Sequence, residues 1–131
     1  GKWTEATTLY AGLDPDLKAR PEIVLQWVKA SIRTGRMDSI QAVQPYLDSL
    51  PETVDVHMAR ALVATTLQDT DRARAAYQAA MDLKPHHPMA VQKLSALSEQ
   101  QGDFDAARKL LQAALKKHPK NAKLRAELLS L

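Results

Sequence analysis

The chain has 131 residues, 45% of them hydrophobic and 25% charged, enough for one folded domain with a real core and without an apolar run long enough to span a bilayer. It holds no cysteine, which excludes disulfides and thiolate metal sites but leaves the compartment open. The net charge of +3 is uneven: residues 1–51 carry six bases and six acids, residues 52–87 four and five, and residues 88–131 eight and four.

Aromatics are scarce, and alanine and leucine are plentiful, which favours helices packed through small aliphatic side chains. The opening GKWTEATTLY is no signal peptide and lacks an initiator Met, so the chain reads as a processed product or an excised fragment, with Gly1 as a cloning remnant. A first helix is predicted over 3–13, its end broken by Pro15. A second runs over 21–34 and stops at Gly35. A third, over 37–50, contains Pro45, which removes one hydrogen bond and should kink or shorten it. Helices follow over 53–67 and 70–84. The helix over 88–101 carries Val91, Leu94, Ala96, Leu97 and Ser98 as a small or apolar stripe. Gly102 supplies a left-handed residue to end it, and Asp103 or Asp105 caps the next. That helix, over 104–118, places Phe104, Ala107, Leu110, Leu111, Ala114 and Leu115 on one side. Lys116 and Lys117 complement the dipole of its last turn, and Pro119 stops it. A last helix is predicted over 121–130.

These elements repeat. Pro51, Pro85 and Pro119 are spaced by 34 residues, as are the pairs Ala73 and Ala107, Ala80 and Ala114, Tyr77 and Leu111, and Asp71 and Asp105. Gly35 and Gly102, Met37 and Phe104, and Pro21 and Pro88 are each 67 apart, two periods less one residue.

A 34-residue pair of helices with Gly102, Phe104, Ala107, Leu111, Ala114 and Pro119 in this order resembles the tetratricopeptide repeat. The middle unit matches at Ala61, Ala73, Tyr77, Ala80 and Pro85, and the first at Trp27, Gly35, Met37 and Pro51. Gly1, Trp3, Ala6 and Tyr10 resemble a turn and second helix. The departures are a first unit one residue short, Pro45 within a helix, Gln68 in place of the turn glycine, and Arg60 where the family has a core leucine. The resemblance implies an all-α fold, a right-handed superhelical solenoid of antiparallel helix pairs. Its expected parts are a second helix of a partial repeat (1–20), repeats over 21–53, 54–87 and 88–121, and a capping or partial helix over 122–131. Trp3, Leu9 and Tyr10 would be poorly covered in an array starting mid-unit, so further repeats or another chain are expected to cover that end.

The resemblance also implies a non-catalytic scaffold that holds a partner protein or peptide on a concave face lined by the first helices. The corresponding positions are Glu22, Lys29, Arg33, Met58, Leu62, Thr65, Met89, Gln92, Ala96 and Glu99. Lys29 and Arg33, four apart, share a helix face and suit an acidic group, while Met58, Leu62 and Met89 suit an adaptable apolar floor. The same residues can instead be solvated or packed between repeats. Repeats that clamp a chaperone's terminal carboxylate need Lys, Asn and Arg where this chain has Leu25, Lys29, Ala59, Gln92 and Ala96, and only Lys29 fits.

His86, His87 and His118 sit in inter-repeat loops without a completing carboxylate or cysteine, and His57 stands alone on a helix, so no metal or cofactor is expected. No phosphate loop or nucleophile motif points to an enzyme. Two other readings stay open: nucleic-acid binding through KKHPKNAKLR (116–125), and self-association through the incomplete ends. The alanine-rich, cysteine-free repeats look like those of bacterial envelope assembly proteins, including exopolysaccharide export, which leans the expected location to the periplasm.

Overall fold

The computed structural model describes all 131 residues as nine helices without a strand: α1 (Lys2–Ala11), α2 (Pro15–Lys18), α3 (Pro21–Thr34), α4 (Met37–Asp48), α5 (Val54–Thr66), α6 (Thr70–Leu83), α7 (Pro88–Gln100), α8 (Phe104–Lys117) and α9 (Ala122–Leu129). The chain folds as a helical-repeat solenoid. α3 packs on α4, α5 on α6 and α7 on α8, α1 lies against α3, and α3 with α5, α6 with α7 and α8 with α9 join successive pairs.

The repeat is written in the helix ends. Thr53, His87 and Asn121, each 34 residues from the next, cap α5, α7 and α9 by accepting the amide hydrogens of Val56, Ala90 and Leu124. Asp69 and Asp103, also 34 apart, cap α6 and α8 through the amides of Arg72 and Ala106. Of the two aspartates open as caps for α8, Asp103 takes the position, and Asp105 pairs with Arg108 at 3.0 Å. The turns inside the three pairs each need one left-handed residue. Gly35 (φ 67°), Gln68 (φ 62°) and Gly102 (φ 79°) provide it. After two of them the amide of Asp69 reaches back to the Ala64 carbonyl and that of Asp103 to the Ser98 carbonyl, both at 2.8 Å, closing the preceding helix.

The core is a chain of three clusters. Val24, Trp27, Ile40, Val43 and Leu47 meet Val56 and Val63 in the first. Ala61, Ala73, Tyr77, Ala80, Ala90 and Leu94 form the second, and Val91, Leu111, Ala114 and Leu124 the third. α5 and α7 each contribute to two clusters, which is how a unit too thin to bury its own apolar face borrows its neighbour's. The fully buried alanines at 73, 80, 107 and 114 let the paired helices approach closely.

Three local expectations need correction. The opening helix ends at Ala11, not at 13, and Pro15 starts a separate helix, α2, at its first position, where a missing N–H costs nothing. α4 continues through Pro45 but stops at Asp48, two residues short of the expected end, and has 12 residues against 14 in α6 and α8. The last helix begins at Ala122 and ends at Leu129, inside the expected span, because Asn121 serves as its cap.

Candidate functional site

The ten candidate positions lie on three first helices: Glu22, Lys29 and Arg33 on α3, Met58, Leu62 and Thr65 on α5, and Met89, Gln92, Ala96 and Glu99 on α7. Glu22 sits exposed in the first turn of α3, where its charge complements the dipole. Lys29 is exposed and makes no ion pair. Arg33 is also exposed, but its guanidinium carbon lies 5.4 Å from the centre of the Trp3 ring, so it is engaged with α1. Leu62 and Met89 keep 38% and 55% of their surface exposed, comparable to Leu83 at 53% and Phe104 at 52% on the second helices. Met58 does not share that exposure. It is buried among Ala61, Tyr77 and Leu94, part of the packing between pairs and not of an open floor. Thr65 donates its hydroxyl to the Ala61 carbonyl at 2.8 Å, and Ala96 is exposed.

Met89 and Gln92 are brought together with residues outside the expected set. They line a recess of about 270 Å³ between the starts of α7 and α9, shared with Asn121 and Lys123. Glu99 and Gln92 are both half-buried.

A larger feature went unread in the sequence. Between α4 and α6, floored by α5, lies a pocket of about 450 Å³ lined by Leu47, Asp48, Arg60, Arg72, Ala76 and Ala79, among others. The 34-residue register explains it: Ala76 stands where the next unit has Leu110, and Arg60 where it has Leu94. Arg60 swings its guanidinium out of the core to Glu52, which also accepts from His57 if that ring's Nε2 carries the proton (3.0 Å). The lone histidine on α5 is thus part of a polar cluster at the junction of the first two pairs. No group of three or more potential ligands gathers around a metal position, and no helix is long and apolar enough to cross a membrane.

Paired antiparallel helices on a 34-residue register, with a left-handed turn residue inside each pair and small residues at the crossings, define a helical-repeat protein. Two family models, both described as Tetratricopeptide repeat, match residues 64–130 and 34–88, and the chain belongs to the tetratricopeptide repeat family. Such repeats serve generally as protein–protein interaction scaffolds. A 71-residue stretch is 37% identical to the probable biofilm formation methyltransferase WspC of Pseudomonas putida. That stretch is 54% of this chain and spans only 17% of the relative's length.

Proposed function

We propose that this chain is a non-catalytic scaffold that holds a segment of a partner protein against its first helices. The observation that carries this reading is the exposure of Leu62 and Met89 on α5 and α7, the latter beside the Gln92, Asn121 and Lys123 recess. An apolar segment covers the two side chains, and Lys29 gives the surface a free cation for an acidic residue of the partner. The reading divides the chain into repeats over 21–53, 54–87 and 88–121, flanked by partial units.

The relative's name joins biofilm formation to methyl transfer, and the shared stretch is a small part of it. This supports a repeat module that recruits a protein, with any chemistry carried elsewhere in a larger polypeptide. Residence at the bacterial envelope, in assembly or exopolysaccharide export, belongs to the proposal, and cell fractionation of the native protein tests it.

The main test is affinity capture with the wild-type chain and with Lys29→Glu, Leu62→Glu/Met89→Glu and, as a control on the second helices, Gln78→Glu. A protein recovered by the wild type and the control but lost with the first two variants is expected. Recovery of the same protein by all four overturns the first-helix surface.

A further inference from the structure

The pocket between α4 and α6 sits where the repeat's own filling is missing. Counted from the helix starts, α4 aligns with α6 at 33 residues and α6 with α8 at 34. On that register Asp48, Arg60 and Ala76 stand where the next junction has Met81, Leu94 and Leu110. There Leu94 is buried, and half-buried Met81 and Leu110 pack on the same core cluster. One junction earlier the places of Arg60 and Ala76 belong to buried Trp27 and Val43. Between α4 and α6 the aliphatic side chains give way to an acid, an arginine turned outward to Glu52, and an alanine, and about 450 Å³ stays open over Val63 and Ala64.

The trough is also bipolar. α5 and α6 run antiparallel, so Glu52 and His57 mark one end and Leu67 and Arg72 the other. Arg60 and Leu67 are separated by seven residues of helix, about 10 Å. At the first end Arg60 and His57 hold Glu52, which leaves the exposed Asp48 carboxylate without an ion pair. At the other end Asp69 caps α6 through the Arg72 amide, which leaves the exposed Arg72 guanidinium without one. A complementary ligand carries a leucine-sized group at its middle, a base at one end and an acid at the other. Five residues of extended chain supply all three, since the first, third and fifth side chains point to one side over about 13 Å.

We propose that this trough seats an extended segment of a partner protein through an acid–x–leucine–x–base pattern, its leucine taking the space that Leu110 fills one junction later. Arg60, Val63 and Leu67 each lie two residues from Leu62 or Thr65, a turn of about 200° round α5. The site is therefore on the opposite side of α5 from the first-helix surface and stands independently of it.

The probe is the capped pentapeptide Glu-Thr-Leu-Thr-Lys, whose threonines favour an extended chain, titrated into the 131-residue protein and followed by NMR at the Val63 and Leu67 methyl groups. It is expected to shift both signals and to bind about tenfold more tightly than Glu-Thr-Ala-Thr-Lys. At low salt it is expected to bind about threefold more tightly than Lys-Thr-Leu-Thr-Lys, and Arg72→Glu, at an exposed position, reverses that order. Ala76→Leu supplies the missing side chain from within and is expected to abolish binding while raising the thermal midpoint. Ala79→Leu closes the same trough one turn along α6 and repeats the test if Ala76→Leu does not fold. Leu62→Glu/Met89→Glu leaves binding unchanged. No shift at Val63 with millimolar peptide, or binding that survives a folded closure variant, overturns the proposal. So does equal affinity for N-acetyl-leucinamide, which makes the trough a pocket for a small molecule.

Discussion

Arg60 holds Glu52 through both carboxylate oxygens, at 2.9 and 2.8 Å, and with its other terminal nitrogen donates to the carbonyls of Leu47, Asp48 and Leu50 at 3.3 to 3.4 Å. One side chain of α5 therefore adds a donor to the carbonyls where α4 ends and fixes the acid that follows Pro51. Its register partners Leu94 and Leu128 are apolar. At this junction the fold has exchanged a packed leucine for a polar clamp. Arg60→Ala is expected to destabilise the chain by about 1–3 kcal/mol, since it takes the donor from the Asp48 and Leu50 carbonyls. Arg60→Leu restores the apolar contact alone and is expected to lose less. Urea unfolding of the two variants checks the order, and an Arg60→Ala midpoint equal to wild type removes the clamp from the account.

The same cluster sets a response to acid. Hydrogen bonds from Arg60 hold the Glu52 carboxyl below the usual carboxylate range against an opposing desolvation effect, with the charges of Arg60 and His57 adding to the lowering. Asp38 is held low chiefly by the side chain of Arg36, with the Ser39 amide next. A carboxyl that binds its proton less readily folded than unfolded stabilises the fold above its unfolded value and loses that contribution as pH falls through the lower folded value. The urea midpoint is therefore expected to fall on acidification below about pH 4.5. Both carboxylates face solvent, so the effect is modest. Glu52→Gln is expected to flatten the slope, and an unchanged acid limb in that variant contradicts the assignment.

At the alkaline end the sign reverses. Burial pushes the Tyr77 phenol above its ordinary value, and the nearby Thr65 side chain offsets part of the rise. The neutral phenol is favoured in the fold, so its contribution is whole below about pH 10 and is lost as pH rises through the higher folded value. Tyrosinate absorbance is expected to develop in at least two stages, with Tyr77 last and coincident with unfolding. Tyr77→Phe is expected to remove the late stage. If all three tyrosines titrate together in the folded protein, Tyr77 is not sealed as the structure has it.

Much of this fold was legible because the repeat writes each feature more than once. Ala73 and Ala107, or Tyr77 and Leu111, are recognisable as core by their common spacing, and all four are buried. The caps Thr53, His87 and Asn121 obey the same register, yet His87 read only as a loop histidine, since three different side chains do one task there. Arg60 was visible as a departure, but its outcome was not. Whether a misplaced arginine is tolerated depends on Glu52 and on the α4 carbonyls, which only the folded chain brings near. For the candidate surface, the resemblance to the repeat family supplied positions on α3, α5 and α7. It did not separate Met58, sealed by the next pair, from Leu62, because four residues on a helix share a face but not a neighbour.

Gln68 gives the most direct test of how the turns hold the register. Its φ of 62° is one that a side chain with a Cβ adopts at a cost, while Gly35 and Gly102 meet the same demand freely. The turn is otherwise well formed: the Gln68 amide bonds the Thr65 carbonyl at 3.0 Å and the Asp69 amide bonds that of Ala64. Nothing in the turn depends on the glutamine side chain, which is exposed. Gln68→Gly therefore relieves strain without removing a contact, and is expected to raise stability by up to about 1 kcal/mol, the relief being partly offset by the greater freedom of glycine in the unfolded chain. Gly102→Ala imposes the converse strain, with no steric neighbour within 4 Å to complicate it, and is expected to lower stability by about 1 kcal/mol. Thermal melts of the two variants measure the pair. A Gln68→Gly midpoint below that of the wild type shows that the glutamine makes a contribution absent from this structure.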